Sequence, residues 1–414
     1  MTSPSLADNN TVRHASRLCP VCAGTRAEML FQQSFAALDT GGPIKAYDVV
    51  VCTTCGTAFA DGIPSQAEFD RYYLELSKYE FEHRGGKESE DDSHRLKMLA
   101  QRIQPLVPDR NSRILEIGCA NGRLLSCFKE AGYRELTGVD PSPGCARAAK
   151  TLYDVRVETG TVFSFPQRNT AYDFVITLGV LEHIEDLRRA VKCIRDMVVD
   201  NGRVFVGVPN ASNLIVEQDA PFQEFSTEHV NFFSPKSLQY AMEAGGFRTI
   251  LNSSVELELH RGVLTPTVCG VFERSTEFRT EFPYDSSSRD GLVRYVSECQ
   301  AVDGQLRDTI RSAVARGPLI VWGVGTHTRR LLANGILQPS DISAFVDSNP
   351  KYQKQQLAGI PVLSPDGLAG HLEPILISSY AFQEEISQDI RERVRLPNEQ
   401  ILLYKLSKGR ASHD

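Results

Sequence analysis

The sequence has no apolar run that approaches the roughly 20 residues needed to cross a bilayer. Residues 1–11 are polar and have no apolar signal-peptide core, which predicts a cytoplasmic protein with no membrane partner. An excess of positive charge is also missing, because 45 lysine and arginine residues face 52 aspartate and glutamate residues, a net charge of −7. Nucleic-acid binding normally requires a strongly basic face. The composition therefore argues against nucleic acid as a partner.

The length of 414 residues predicts two or three domains, because single hydrophobic cores usually stop growing at about 250 residues. Ten cysteines are present. In a reducing cytoplasm we expect them to stay reduced and to serve as metal ligands or small buried apolar residues. Their spacing decides between these two roles.

Four of the ten cysteines form two CxxC pairs, Cys19 with Cys22 and Cys52 with Cys55. Such a turn points two thiolates at one ion, and two turns complete the closed tetrahedral shell of structural zinc. We therefore predict a Zn²⁺ site that holds together an N-terminal zinc-ribbon-like domain over residues 1–85. The alternatives are two unrelated buried pairs or a redox CxxC motif. A nucleic-acid-binding ribbon is a further use, which the weakly charged surroundings do not favour.

An aromatic stretch follows the second cysteine pair and includes Tyr72, Tyr73 and Tyr79. We interpret it as a connector that packs the first domain onto the next, with Tyr79 as a candidate substrate contact. Residues 88–107 then carry apolar residues at helical spacing, which predicts a helix. The domain boundary is placed near residue 86.

Residues 113–128 have the pattern of a buried strand, a glycine turn and a helix. Gly118 and Gly122 lie in the turn, and Asp140 stands 22 residues after Gly118 at the end of a second strand. A strand, a turn, a helix and a strand that ends in an acid form the first half of a doubly wound α/β sheet. The glycines let the backbone approach a ligand, and the acid accepts hydrogen bonds from ribose hydroxyls. The carboxylate of Glu116 beside the turn suits a cation or an amine and is wrong for a diphosphate.

Together with further strands at 171–177 and 202–209, these motifs resemble those of class I S-adenosylmethionine-dependent methyltransferases. The resemblance implies a Rossmann-like seven-stranded methyltransferase core over residues 86–255, with S-adenosyl-L-methionine as the cofactor.

In that family, residues that match Glu116 and Gly118 approach the methionine part of the cofactor. The match of Gly122 shapes the turn, and the match of Asp140 holds the ribose. The cofactor-binding residues implied by the resemblance are Glu116, Gly118, Cys119, Gly122, Asp140, Pro141, Thr161, Val162 and Leu178.

An acceptor carbon or hydroxyl must lose a proton, so the site needs a general base. His229 is the best candidate, because an imidazole with a pKa of about 6.5 accepts a proton at neutral pH. Neighbouring Glu228 would bind substrate or steer the imidazole. The alternative is that Glu228 and His229 only cap the helix that begins after Ser234. We interpret His183, in the turn after the fourth strand, as serving the hydrogen bonding of its own turn, with substrate contact as the alternative.

The order of a four-cysteine domain, a methyltransferase core with a Glu-His pair after strand five, and a C-terminal α/β domain resembles the nucleotide-sugar C-methyltransferases. That group methylates C3 of dTDP-linked 4-keto sugars, and the resemblance implies that His229 takes the proton next to the keto group. Two motifs depart from the group's pattern. Tyr-His-Glu-His is Ser-Thr-Glu-His at residues 226–229, and Tyr-x-Tyr-x-Ser-Ser is only approximated at residues 72–79. O-methylation of a sugar or another small metabolite stays open, as does a non-catalytic binding module.

Residues 256–414 are predicted to form a C-terminal Rossmann-like α/β domain that closes the substrate cleft. In it, Gly323 and Gly325 form a second glycine turn, and Asp347 ends the next strand. A lone GxG is weak evidence for a nucleotide. The resemblance implies substrate contact for Gly325 and Thr326, and packing alone is the alternative. The expected partner is a small molecule, a nucleotide-linked sugar, and we expect a monomer.

Overall fold

The computed structural model describes residues 11–38, 44–76, 85–165, 171–215, 220–260 and 263–404. No helix within these ranges is long and apolar enough to span a membrane. The strands are β1 (Val12–His14), β2 (Arg26–Ser34), β3 (Ala46–Cys52), β4 (Ala58–Asp61), β5 (Ile114–Ile117), β6 (Leu136–Asp140), β7 (Val157–Thr159), β8 (Tyr172–Leu178), β9 (Val198–Pro209), β10 (Asn231–Phe232), β11 (Phe247–His260), β12 (Val263–Arg274), β13 (Leu319–Trp322), β14 (Ile342–Val346), β15 (Gln356–Leu357), β16 (Ile360–Leu363), β17 (Ile375–Ile377) and β18 (Gln400–Leu402). The helices are α1 (Gln66–Leu76), α2 (Glu90–Ile103), α3 (Arg123–Glu130), α4 (Pro143–Tyr153), α5 (Leu187–Met197), α6 (Pro235–Ala244), α7 (Ser287–Val314), α8 (Thr326–Ala333) and α9 (Gln383–Asp389).

The N-terminal sheet is antiparallel and has the order β1-β2-β3-β4-β10. Strand β3 leads directly into the second cysteine pair, and its Val49, Val50 and Val51 are buried. The edge strand β10 comes from a distant part of the chain and pairs Asn231 with Phe59. This pairing fixes the segment that precedes β10 against the N-terminal sheet.

The central sheet has the order β11-β12-β9-β8-β5-β6-β7. The five strands from β9 to β7 run parallel. At one edge, β12 pairs antiparallel with β9, and β11 pairs antiparallel with β12. All four residues of β5 are buried, as expected for a central parallel strand covered on both faces. The predicted Rossmann-like core with seven strands is therefore confirmed.

The division of the chain at residues 85 and 255 stays a proposal. Residue 255 falls inside β11, and the central sheet continues through β12 to Arg274. The antiparallel pair covers the edge of β9, so this sheet extends beyond the proposed boundary.

The helix predicted over residues 88–107 is α2, and it is shorter at both ends. It begins after Ser89, whose hydroxyl accepts from the Asp92 N–H at 3.1 Å. At its C-terminal end the chain tightens into a 3-10 turn over Gln104–Leu106, which contains a proline.

The C-terminal sheet has the order β15-β16-β14-β13-β17-β18 and is parallel except for β15. Helix α7 precedes it and links two hydrophobic clusters. Its Leu292 and Val296 are buried with residues of the N-terminal sheet, whereas Leu306 and Ile310 are buried with residues of the C-terminal sheet. This helix therefore packs against both sheets.

Two buried arginines connect the sheets around the segment before β10. Arg17 donates to the Val230 carbonyl at 2.8 Å and to the Asn231 side-chain oxygen at 2.9 Å. Burial lowers the pKa of Arg17 to about 10. From α8, Arg329 donates to the Ala36 carbonyl at 2.9 Å. Residues next to strands β1 and β2 are thus hydrogen-bonded to the segment after His229 and to helix α8, respectively.

Candidate active site

The first glycine turn follows β5 at the carboxyl end of the parallel strands, where ligands bind in open α/β sheets. Gly118 has φ +73° and donates its N–H to the Val139 carbonyl at 2.8 Å. A Cβ atom there would lie 2.5 Å from Cγ2 of Val180, so the position excludes any side chain. Gly122, with φ +78°, precedes α3. The backbone conformation of this turn and its close packing therefore require glycine at position 118 and favour it at position 122.

Asp140 ends β6, and backbone amides fix its carboxylate. One oxygen accepts from the Ala120 N–H at 2.9 Å, and the other accepts from the Ser142 N–H at 2.9 Å. Each carboxylate oxygen has two lone pairs, so the group can accept further hydrogen bonds from ribose hydroxyls. The geometry fits the role predicted for Asp140.

Glu116 is 5% exposed, and its Oε2 has no hydrogen-bond partner among the described residues. Burial raises the pKa of Glu116 well above its usual range, and the nearby charge of Asp140 adds to this shift. An orphaned buried carboxyl oxygen is costly unless a ligand satisfies it. A cationic or amine-bearing cofactor fits this position.

The remaining cofactor candidates lie around the same sheet edge. Cys119 is buried, and a Cβ on Gly138 would come within 2.5 Å of its Sγ, so this thiol packs against β6. The Thr161 hydroxyl accepts from the Phe163 N–H at 3.2 Å, which caps the local turn. Val162 is buried in the core. The last two candidates are Pro141, directly after β6, and Leu178, at the end of β8.

His183 and His229 are brought together from separate segments. Their ring centroids lie 4.9 Å apart in an edge-to-face arrangement. His183 ends the 3-10 turn after β8, and its Nδ1 lies 3.1 Å from the Glu228 carbonyl oxygen. The His183 backbone N–H donates to the Val180 carbonyl of its own turn at 3.0 Å, and its imidazole also bonds across to the segment of His229.

Glu228 and His229 do not cap α6, because Ser234 performs that role. The Ser234 hydroxyl accepts from the Ser237 N–H at 3.0 Å. His229 instead places Nδ1 3.2 Å from Oε2 of Glu224. The carboxylate orients the imidazole and leaves Nε2 as the nitrogen for chemistry.

Two tyrosines of α1 complete the cluster. Tyr72 donates its hydroxyl to Oε1 of Glu228 at 2.9 Å, and the Tyr73 hydroxyl lies 3.2 Å from Nδ1 of His183. Burial raises the pKa of Tyr72 well above its usual range, and the charge of Glu228 adds to the shift. The Tyr72 phenol therefore stays protonated at neutral pH. Tyr79, the predicted substrate contact, lies outside the described residues.

Helix α8, in the C-terminal part of the chain, contributes a positive charge to this cluster. Arg329 of α8 is 5% exposed and interacts electrostatically with Tyr72, Tyr352 and Glu228. Burial lowers the pKa of Arg329. The predicted contacts Gly325 and Thr326 begin the same helix, one turn earlier than Arg329.

Some residues of this cluster can be found from sequence patterns and others cannot. Tyr72 and Tyr73 had a signal in the aromatic stretch after the cysteine pairs, although packing was the preferred interpretation. No local motif singles out Glu224 or Arg329. Their proximity to the site depends on the long-range pairing of sheets and could not be read from spacing.

The four cysteines of the two CxxC pairs converge on one point. The Sγ atoms of Cys19 and Cys55 lie 3.6 Å apart, those of Cys22 and Cys52 lie 3.5 Å apart, and all four lie within 4.8 Å of one another. A tetrahedral zinc ion with Zn–S bonds of about 2.3 Å requires S–S separations of about 3.8 Å. The observed separations fit this shell.

The surroundings of the four sulfurs also suit thiolate ligands. The backbone N–H groups of Gly24 and Thr54 point to Cys22 and Cys52, each at 3.4 Å from Sγ. Hydrogen bonds among the sulfurs raise the pKa of Cys19 and lower that of Cys52. Thiols this close share protons, which a dication would displace on binding.

The methyltransferase assignment follows from comparison with known proteins. Residues 92–252 match a family model described as a methyltransferase domain. This match identifies residues 92–252 as a methyltransferase domain. The predicted S-adenosylmethionine-dependent enzyme class is thereby confirmed for this part of the chain. A second family model, described as C2185-like, N-terminal, matches residues 317–402, which contain β13 to β18.

Curated relatives of the chain are named as methyltransferases. A ubiquinone biosynthesis O-methyltransferase from Azorhizobium caulinodans is 34% identical over 110 residues, which cover 25% of this chain and 43% of that protein. A tRNA U34 carboxymethyltransferase from Campylobacter hominis is 25% identical over 115 residues, which cover 25% of this chain and 38% of that protein. The chain thus spans less than half the length of these two relatives.

Solved structures are similar at a lower level. A methyltransferase from Thermotoga maritima is 21% identical with a TM-score of 0.38, and the match covers 50% of this chain and 98% of that one. The 1,6-didemethyltoxoflavin-N1-methyltransferase of Burkholderia thailandensis, with bound S-adenosylhomocysteine, is 17% identical with a TM-score of 0.39. That match covers 53% of this chain and 96% of the other. Likeness at this level does not identify the acceptor of the methyltransferase domain.

Proposed function

We propose that the chain is an S-adenosylmethionine-dependent methyltransferase that acts on a nucleotide-linked sugar. The leading reaction is C-methylation next to a keto group of that sugar. The observation that carries the proposal is the convergence of two groups at one sheet edge. The orphaned Glu116 carboxyl lies beside the first glycine turn, and the cluster of tyrosine, histidine and glutamate side chains is built on the turn after β8. The first group suits the cofactor and the second suits an acceptor.

The cofactor supplies a methyl group that its sulfonium charge has already activated. Glu116 would accept hydrogen bonds from the cofactor ammonium, and Asp140 would accept them from the ribose hydroxyls. Gly118 would give the turn the left-handed backbone that brings it to the methionine part. These residues bind and orient, which is what a reaction between two bound partners needs most.

His229 would remove the proton from the acceptor. Glu224, 3.2 Å from Nδ1, orients the ring and stabilises the imidazolium that forms. The proton passes from the acceptor carbon or hydroxyl to Nε2. Glu228 and Tyr72, hydrogen-bonded to each other, would hold acceptor hydroxyls nearby.

Arg329 supports an anionic acceptor. It is a cation at the border of the methyltransferase domain and the C-terminal layer, in electrostatic range of Tyr72 and Glu228. Arginine binds phosphate oxygens through paired hydrogen bonds. A diphosphate-linked sugar would therefore gain a charged contact that a neutral metabolite lacks, and helix α8 with Gly325 and Thr326 would close the cleft.

O-methylation is the second candidate. It is favoured by the departure at Ser226–His229 from the pattern of C-methyltransferases and by the name of the Azorhizobium caulinodans relative. The same base would serve, because a hydroxyl also has to lose a proton. A non-catalytic binding module is the remaining alternative, and it would bind the cofactor without turnover.

The four cysteines are proposed to hold one structural Zn²⁺. A closed shell of four sulfurs leaves no position for substrate, so the ion would stabilise the N-terminal sheet and take no part in methyl transfer. Metal analysis of the pure protein should find about one zinc per chain. Cys19→Ser should lower both zinc content and thermal stability, and an unchanged zinc content would remove this assignment.

The expectations of a monomer, a cytoplasmic location, and the absence of nucleic-acid and membrane partners stay predictions. Size-exclusion chromatography with light scattering would measure the first directly.

A screen with methyl-labelled cofactor tests the proposed function. Keto sugar nucleotides, hydroxylated sugars and phenolic metabolites are offered separately. Label on carbon, accompanied by solvent deuterium exchange next to the keto group, supports C-methylation. Label on oxygen without such exchange supports the second candidate, and cofactor binding with no labelled product from any class supports the binding module.

A further inference from the structure

We propose that Glu182, His183 and His229 form a second metal site, for a divalent ion such as Zn²⁺, Fe²⁺ or Co²⁺. One ligand atom from each of the three lies within 4.8 Å of the other two. Two imidazoles and one carboxylate form a ligand set that suits these ions and, with three protein ligands, leaves coordination positions open. The four cysteines, in contrast, form a closed set.

The outer contacts of the two imidazoles favour this use. Nδ1 of His229 faces the Glu224 carboxylate at 3.2 Å, and Nδ1 of His183 faces the Glu228 carbonyl at 3.1 Å. Metal-ligating histidines almost always donate their other N–H to a carboxylate or a carbonyl, which fixes the tautomer. Both rings therefore favour Nε2 as the ligand atom.

Backbone contacts fix the two ligand segments relative to each other. The Val230 N–H donates to the Glu182 carbonyl at 2.7 Å. The side chain of Asn231 donates to the carbonyls of Leu181 at 2.8 Å and Ile184 at 2.7 Å. The bonds to Leu181 and Ile184 flank Glu182 and His183, and Val230 directly follows His229. The two ligand segments are therefore held together before any ion binds, as precise metal sites require.

The placement gives the ion a role in O-methylation, the second candidate reaction. An acceptor hydroxyl that coordinates the ion has a lowered pKa and loses its proton to solvent water. The oxygen then bonds to the methyl carbon while the carbon–sulfur bond breaks, and that electron pair stays on sulfur to give S-adenosylhomocysteine. In this state His229 is a ligand, and the ion replaces its function as base. This role rests on the proposed function, whereas the ligand set does not.

The test is a titration of zinc-replete full-length protein with Co²⁺, followed by calorimetry and by the visible spectrum. The expected result is about one equivalent of Co²⁺ bound beyond the cysteine site, with a spectrum that has no new thiolate-to-metal band. His183→Ala and His229→Ala should each weaken Co²⁺ binding by at least about 100-fold. Glu224→Gln should weaken it by about 10-fold, because Glu224 orients the His229 ring and does not bind the ion itself. His94→Ala, at an exposed position of α2, is the matched control and should bind Co²⁺ as wild type does.

Failure of this inference and failure of the proposed function give different results. No further Co²⁺ uptake, or uptake that both histidine variants retain, overturns the metal site even if the protein binds S-adenosylmethionine normally. Co²⁺ uptake that depends on both histidines supports the site even if no acceptor is ever methylated. Unchanged zinc content and thermal midpoint in each variant establish that a lost Co²⁺ site is not the result of unfolding.

Discussion

The two glycine turns of this chain have a common backbone design. In each, a glycine with positive φ donates its N–H to a carbonyl at the end of a neighbouring strand, at 2.8 Å from Gly118 to Val139 and 2.7 Å from Gly323 to Val346. In each, the acid that follows this carbonyl residue accepts from an N–H of the turn, at 2.9 Å for Asp140 and 3.0 Å for Asp347. The same strand–turn–helix arrangement thus occurs in the methyltransferase domain and in the C-terminal layer.

The side chains around the turns differ. Glu116 stands two residues before Gly118, and Val321 stands two residues before Gly323. After the second turn comes His327, whose pKa burial lowers to about 3 and whose Nε2 lies 2.7 Å from the Tyr404 hydroxyl. The backbone design is therefore shared, whereas the carboxylate proposed to bind the cofactor ammonium, that of Glu116, has no counterpart at the second turn.

The largest expected effect is the loss of turnover in His229→Ala, which we compare with His327→Ala at the second turn. His229→Ala should leave cofactor binding intact and lower turnover by roughly 100-fold or more, the usual extent of general-base catalysis. Once an acceptor is identified, single-turnover kinetics with labelled cofactor measures this. Near-normal turnover would remove His229 from the mechanism.

His327→Ala is the counterpart at the second turn. This side chain is buried and hydrogen-bonded to Tyr404 and Ser378, so its removal should destabilise the protein by about 1–3 kcal/mol. Turnover per folded molecule should not change. A loss of turnover without a loss of thermal stability would show that the second turn also serves the reaction.

The raised pKa of Glu116 predicts that the free energy of unfolding depends on pH. The second turn has no carboxylate at the matching position, and that position therefore makes no such contribution. Burial is the main cause of the shift and the charge of Asp140 the second. Because the folded pKa is raised, the contribution of Glu116 to the stability of the cofactor-free protein is present below the unfolded pKa of about 4.3. It is lost as the pH rises through the folded pKa.

Cofactor affinity should change in the opposite direction over the same range. The ammonium group binds the ionised carboxylate, so affinity rises with pH, and binding below the folded pKa of Glu116 releases a proton. Calorimetry in two buffers with different ionisation heats measures that release. An affinity that is independent of pH, with no proton release, would contradict the role given to Glu116.

The two glycines should differ in their tolerance of a side chain. Both have positive φ, but a Cβ on Gly118 would lie 2.5 Å from Val180 Cγ2, whereas a Cβ on Gly323 would lie 3.2 Å from the Ser378 carbonyl oxygen. We expect Gly118→Ala to cost about 2–3 kcal/mol and Gly323→Ala about 1–2 kcal/mol in urea unfolding. Adding Val180→Ala to Gly118→Ala should recover part of the loss. Equal costs at the two turns would show that the contact with Val180 is unimportant.

The smallest effect concerns Ala120, which adopts φ +45° in the first turn. Glycine relieves the left-handed strain but increases the entropy of the unfolded chain, and the two terms are of similar size. Ala120→Gly should therefore change the free energy of unfolding by less than about 0.5 kcal/mol. A larger loss would indicate that the methyl group itself has a packing role in the turn.

Local spacing was sufficient to predict the features that lie close together along the chain. The two CxxC pairs, the Glu116–Gly122 turn and Asp140 each depend on short segments whose chemistry is visible in the residues. The buried face of α7 also follows from local spacing, because its apolar residues recur at a helical period.

The acceptor cluster could not be predicted in the same way. Tyr72 meets Glu228 across 156 positions of sequence, and Tyr73 meets His183 across 110. Those contacts depend on β10 joining the N-terminal sheet, and its two residues carry no strand signal of their own. Long-range pairing of this kind follows from the packing of the whole chain, so the catalytic candidate His229 was found while Glu224 and Arg329 were not.

The most direct test of cofactor recognition by the first turn is calorimetric titration with S-adenosylmethionine of three proteins: wild type, Glu116→Gln and Asp347→Asn. Wild type should bind one cofactor. Glu116→Gln should weaken that binding by about 30-fold or more, since a hydrogen bond to a charged group contributes about 1.5–3 kcal/mol. Asp347→Asn, the matched change at the second turn, should leave the affinity unchanged. Wild-type affinity in Glu116→Gln, or a clear loss of affinity in Asp347→Asn, would contradict the assignment of the cofactor to the first turn.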